Sequence, residues 1–147
     1  MNRIVVELDG RCDVVLILRS VVQVLSQRVD LNVLQRNRIG LAVDEVYANV
    51  VRHGYHGKGG RVRFEASIQQ GEEGHRLYFR FQDDAPPVDM SNCDCGSEMP
   101  PCSAETLEPG GLGIPLIHAI MDEVRHTMLE HGNQWDLMYR CTQEGTT

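Results

Sequence analysis

The chain has 147 residues, 41% of them hydrophobic and 24% charged, which suits one domain with a sizeable core and is too short for two. No apolar run approaches the length of a membrane span, so a soluble, cytoplasmic protein is expected, and an odd count of five cysteines argues for free thiols over a disulfide framework. A net charge of −7 with singly scattered basic residues excludes nucleic acid as the natural partner and leaves a protein or a nucleotide.

In chain order, Ile4 to Leu8 reads as a strand; Glu7 and Asp9 break its apolar run, so it does not look like a signal peptide. Val14 to Val29 carries apolar residues at helical spacing: Val14, Leu18, Val21, Val22 and Leu25. Asn32 can cap a second helix, whose apolar positions Leu34, Ile39, Ala42, Val43, Val46 and Val50 keep a helical period until Gly54, where a left-handed stop is expected. Val62 to Ile68 and Arg76 to Phe81 predict an antiparallel hairpin around the loop QQGEEGH. From Asp83 to Pro109 the composition turns to Pro, Asp, Ser, Cys and Gly without periodicity, which predicts a lid-like loop over about residues 84–109. GGLGIPLIHAIMDEV then predicts a helix, and Val124 to Glu130 with Gln134 to Cys141 a last hairpin around His131, Gly132 and Asn133. Together these predict an α+β, two-layer sandwich: a mixed, mostly antiparallel sheet with helices on one face.

Within the second helix, Glu45, Asn49 and His53 follow each other at i, i+4 and share one stripe, while the apolar positions face elsewhere. They could line a pocket; on spacing alone a solvated polar stripe is the simpler reading. Asp83 closes a strand and opens the loop. Gly110, Gly111 and Gly113 sit where that loop enters a helix, a place where backbone N–H groups and the helix dipole favour phosphate. Cys93, Cys95 and Cys102 with Asp94 suggest a thiolate-rich metal site, but their spacing is not the paired pattern of zinc folds, so unligated thiols are the favoured reading. Cys12 and Cys141 read as packing residues.

The order of these parts carries a resemblance. EVYANVVRHGY resembles the N box of the histidine-kinase-like ATPase superfamily, QDDAPPVD its first glycine box, and GGLGIPLIHAIMDEV its second glycine box as written in the anti-sigma factor serine kinases. GNQWDLMYR resembles the terminal strand motif of that group, so the likeness runs from about Leu34 to Arg140. It implies a Bergerat-type ATP-binding fold that takes ATP or ADP with Mg²⁺. It also implies roles: Asn49 as a Mg²⁺ ligand, Glu45 as general base on an attacking hydroxyl, and Asp83 as acceptor of the adenine amine. Asp44 is a weaker alternative to Glu45, turned about a hundred degrees away around the helix. His53 would sit near the phosphates or simply close the helix, and Gly110, Gly111 and Gly113 would cradle the phosphates. Ala85 stands where the family writes glycine, and a methyl there is expected to weaken nucleotide binding by crowding the adenine or by resisting a positive φ. The implied partners are an anti-sigma factor antagonist of the STAS type, a sigma factor and a second copy of the chain. The rival expectation is a noncatalytic module in which nucleotide gates protein binding; a detached histidine-kinase catalytic domain fits the second-box wording less well.

Overall fold

A computed structural model describes residues 2–88 and 113–141. Among them, strand β1 (Arg3–Leu8) leads through a short 3₁₀ turn into helix α1 (Val15–Arg28), followed by α2 (Val33–Asn49) and a π-helical turn (Val50–Gly54). Strands β2 (Val62–Gly71) and β3 (Gly74–Asp83) come next, then α3 (Gly113–Ile120), β4 (Glu123–Leu129) and β5 (Gly132–Cys141). The strands form one sheet in the order β1-β2-β3-β5-β4. The expected helix-on-sheet sandwich is found, with every pairing antiparallel.

The two faces of the sheet follow from the period-2 alternation of its strands. On one face Phe64, Phe81 and Trp135 align across β2, β3 and β5, as do Ala66, Phe79 and Leu137 in the next row. These six side chains are buried against Leu18, Val22 and Leu25 of α1 and Ile39, Val43 and Val46 of α2. The opposite face carries Glu65, Arg80, Asp136 and Arg125 in one cross-strand row. There Arg3 pairs with Glu65 at 2.8 Å and Arg80 with Asp136 at 2.7 Å. Such exposed pairs add little stability. They do make this face a water-facing one, and among the described residues the helices lie on the other side.

Helix α2 starts where its sequence says it should. The Asn32 side chain accepts from the Gln35 N–H at 2.8 Å and the Gln35 side chain accepts from the Asn32 N–H at 3.0 Å, a reciprocal cap. Its C-terminal end departs from expectation. The helix does not stop in a left-handed glycine at 54; it widens from Val50 into i→i+5 bonding, with the Tyr55 N–H reaching the Val50 carbonyl at 3.0 Å. The left-handed residues come later, at His56 (φ 53°) and Gly57 (φ 76°). Both hairpins are tighter than expected. Gln69 to Gly71 pairs with Gly74 to Arg76, leaving only Glu72 and Glu73 as the turn, and Leu129 pairs with Gly132 around Glu130 and His131. Cys141, expected to pack, is 7% exposed at the end of β5. Burial, with Asp122 nearby, pushes its thiol up to about 11. Among the described residues no helix is long and apolar enough to cross a membrane.

Candidate functional site

Two polar constellations stand at the two ends of the π-helical turn. The first lies on α2, where Glu45 and Asn49 are one helical turn apart and half-buried. The first residue of α3 closes over them: a Cβ on Gly113 would stand 2.8 Å from Glu45 Oε2 and 3.9 Å from Asn49 Nδ2. A methyl at 113 would have to displace the carboxylate end of the Glu45 side chain. Burial raises the Glu45 carboxyl above its ordinary value, with Asp44 adding to the effect and Arg52 opposing it. Among the described residues the buried Asn49 Nδ2 has no hydrogen-bond partner, and an orphaned group of this kind costs about 1–3 kcal/mol. A carboxamide can present oxygen or nitrogen at the same place by a half turn of its terminal bond. Asn49 therefore offers an uncommitted polar end beside Glu45.

Asp44 is committed elsewhere. Its Oδ2 accepts from Arg19 Nε at 2.9 Å, a bond that ties α1 to α2. With Arg19, Glu45, Ala48 and Arg52 it borders a groove of about 280 Å³ between the two helices, so Glu45 can be approached from that side. His53 falls in the π-helical turn and is exposed, off the α-helical register that relates Glu45 to Asn49. Partial desolvation, then Arg52 and His56, hold its imidazole below the ordinary value.

The second constellation is built on Asp83, at the last residue of β3 and 3% exposed. Its Oδ1 accepts from the Ala85 N–H at 3.0 Å and from Asn133 Nδ2 at 3.1 Å. Burial raises this carboxyl, and the same hydrogen bonds oppose the rise. Asn133, 4% exposed and directly across from Asp83 in the ladder, does more than that. Its Nδ2 also donates to the Pro86 carbonyl at 3.2 Å, and its Oδ1 accepts from the Val88 N–H at 2.9 Å. One side chain thus fixes both the carboxylate and the start of the loop that follows. Tyr55 holds the intervening residue: its hydroxyl accepts from the Asp84 N–H at 2.7 Å and donates to the Arg61 carbonyl at 2.5 Å. Gly132 is needed beneath them, since its φ is +151° and a Cβ there would overlap the Asp83 carbonyl.

Ala85 does not meet the expected backbone difficulty. Its φ is not positive, and the residue is 1% exposed with its methyl turned toward Gly54. Sequence reasoning missed Asn133 and Tyr55 as members of this site, although both lie inside the quoted motifs. Gly110 and Gly111 lie outside the described residues, as do Cys93, Cys95 and Cys102. Among the described residues no three His, Cys, Asp or Glu side chains cluster as a metal site.

The sequence profile of the histidine kinase-like ATPase domain matches residues 10–138. No curated protein matches the chain. Among solved structures, the RsbU and RsbW domains of a Mycobacterium tuberculosis protein superpose with a TM-score of 0.62 at 15% identity, over 95% of this chain and 32% of that one. A blue-light activated histidine kinase of Erythrobacter litoralis gives 0.54 at 17% identity, over 80% of this chain and 34% of that one. The histidine kinase domain of the latter gives 0.53 at 13% identity, over 83% and 60%. The chain thus spans about a third of the first two proteins, and likeness at this identity speaks for the fold alone. The profile match covers most of the sequence: the chain belongs to the histidine kinase-like ATPase family.

Proposed function

We propose that this histidine kinase-like ATPase domain binds ATP and ADP with Mg²⁺ and phosphorylates a serine or threonine of a STAS-type anti-sigma factor antagonist, and that it also sequesters a sigma factor, acting as a homodimer. The observation that carries the catalytic part is the fit of Gly113 against Glu45 and Asn49. A glycine at the start of a helix beside a carboxylate and an uncommitted carboxamide supports this reading, since backbone N–H groups suit phosphate, a carboxylate suits a base and a carboxamide oxygen suits a hard cation. In this reading Asn49 presents its oxygen to the metal, and Gly113, with Gly110 and Gly111 before it, lines the phosphates. Asp83 accepts from the adenine amine, and Mg²⁺ supplies charge neutralisation on the triphosphate. Glu45 receives the proton of the attacking hydroxyl, and burial that lifts its carboxyl brings it nearer the range where a base works best. The groove bordered by Arg19 and Arg52 leaves that carboxylate reachable from the side of α1.

Radiolabel transfer from ATP to a purified antagonist encoded beside the gene tests the reading, run with a nucleotide-binding titration. Glu45→Gln should leave binding nearly intact and slow transfer by roughly a hundredfold to ten-thousandfold, the usual contribution of a general base. Wild-type protein that binds ATP and transfers nothing, or a Glu45→Gln variant as fast as wild type, would replace the kinase by a noncatalytic module whose protein binding is gated by nucleotide.

A further inference from the structure

Gly54 ends the π-helical turn, and the usual reason for a glycine at a helix end is a left-handed φ. That reason is absent here, because Gly54 is not among the residues of positive φ, and the left-handed positions are His56 and Gly57. What the glycine does supply is space. Among the described residues outside its own turn, a Cβ at 54 would meet one neighbour within 4 Å, the methyl of Ala85, at 3.1 Å. Carbon atoms in good contact stand about 3.5–4.0 Å apart, so a methyl at 54 must push Ala85 away by several tenths of an ångström. Ala85 has little freedom to yield. It is buried, its N–H is bonded to Asp83 Oδ1 at 3.0 Å, and the residues on either side are held by Tyr55 and by Asn133. A shift at 85 is therefore passed directly to the Asp83 carboxylate.

We infer that Gly54 is a positioning residue for the Asp83 turn: it houses the Ala85 methyl, so that the turn keeps its course with alanine where the family motif has glycine. This rests on the nucleotide-binding reading above, with Asp83 facing the adenine amine. The pair also joins the two ends of the site, since Gly54 closes the turn that begins directly after Asn49. The methyl is lodged on the helix side, so the departure from glycine at 85 is compatible with nucleotide binding.

The test moves the methyl from one partner to the other. Gly54→Ala, Ala85→Gly and the double variant are compared with wild type in two assays. The first is titration with ADP and with inosine diphosphate, which lacks the exocyclic amine, both in Mg²⁺; the second is thermal unfolding without nucleotide. Wild type should prefer ADP by about tenfold or more, as expected of a site that accepts a hydrogen bond from that amine. Gly54→Ala should bind ADP about tenfold more weakly, lose most of the preference and unfold at lower temperature. The double variant should regain affinity and preference to within about threefold and recover its unfolding temperature. A Gly54→Ala protein that fails to fold beside a double variant that folds and discriminates supports the pairing equally. The inference is overturned if Gly54→Ala keeps wild-type affinity and preference, if the double variant is as impaired as the single one, or if neither folds. Wild-type protein that binds neither nucleotide fails the nucleotide reading and the role of Gly54 in recognition with it. Recovery of unfolding temperature in the double variant then judges the packing by itself.

Discussion

Replacing Asn133 by alanine removes a side chain whose every polar atom is used. Its Nδ2 donates to the Asp83 carboxylate at 3.1 Å and the Pro86 carbonyl at 3.2 Å, and its Oδ1 accepts from the Val88 N–H at 2.9 Å. A neutral hydrogen bond contributes about 0.5–1.5 kcal/mol net and one to a charged group about 1.5–3 kcal/mol, so the set is worth roughly 3–5 kcal/mol where water does not replace it. The site is 4% exposed, and replacement by water is poor. The sign of the pH dependence follows from Asp83. Burial raises its carboxyl in the folded protein, so ionising it opposes folding above that raised value and not below the unfolded one. Asn133 offsets this penalty, so Asn133→Ala should destabilise most near neutral pH and progressively less as pH falls through the carboxylate range. Urea unfolding of both proteins at several pH values from neutral downward measures it. A loss under about 1 kcal/mol at neutral pH, or a loss that does not shrink on acidification, would refute the latch.

Asn49→Ala should weaken Mg²⁺-dependent nucleotide binding by tenfold or more without loss of folding stability, because its buried Nδ2 has no partner among the described residues to lose; calorimetry with and without Mg²⁺ reads it. Gly113→Ala should drive a methyl against Glu45 Oε2 and lower both nucleotide affinity and transfer by at least about tenfold. Truncating Glu45 to alanine in the same chain should restore affinity but not transfer. The transfer rate of wild type should fall on acidification at a pH above the ordinary carboxylate range, since burial raises the group that must be ionised, and a profile flat through that range would remove Glu45 as the base.

Local periodicity made α1, α2 and strands β1, β2, β3 and β5 readable, because each buries one face and spaces its apolar residues to suit. The motifs single out Asp83, Ala85 and Glu45, and the structure sets Asp83 and Ala85 together in one buried turn and leaves Glu45 half-buried on α2. The role of Asn133 was not, because it exists only through a register that sets it opposite a residue fifty positions earlier. Gly54 was read as a stop, since sequence cannot tell a glycine needed for φ from one needed for room. The π-helical turn that carries His53 off the stripe leaves no signal in apolar spacing, as Val50 and Val51 remain buried through it.

Cys141 lends itself to a practical use. Burial pushes its thiol up to about 11 and the residue is only 7% exposed at the end of β5, so the folded chain presents little reactive thiolate at neutral pH. Alkylation of the peptide bearing it is therefore slow while that strand stays paired, whereas the unfolded chain reacts at the ordinary rate of a cysteine. Mass spectrometry of that peptide during a timed iodoacetamide exposure becomes a native clock for the opening of β5, readable with nucleotide absent or present and without introducing a single mutation.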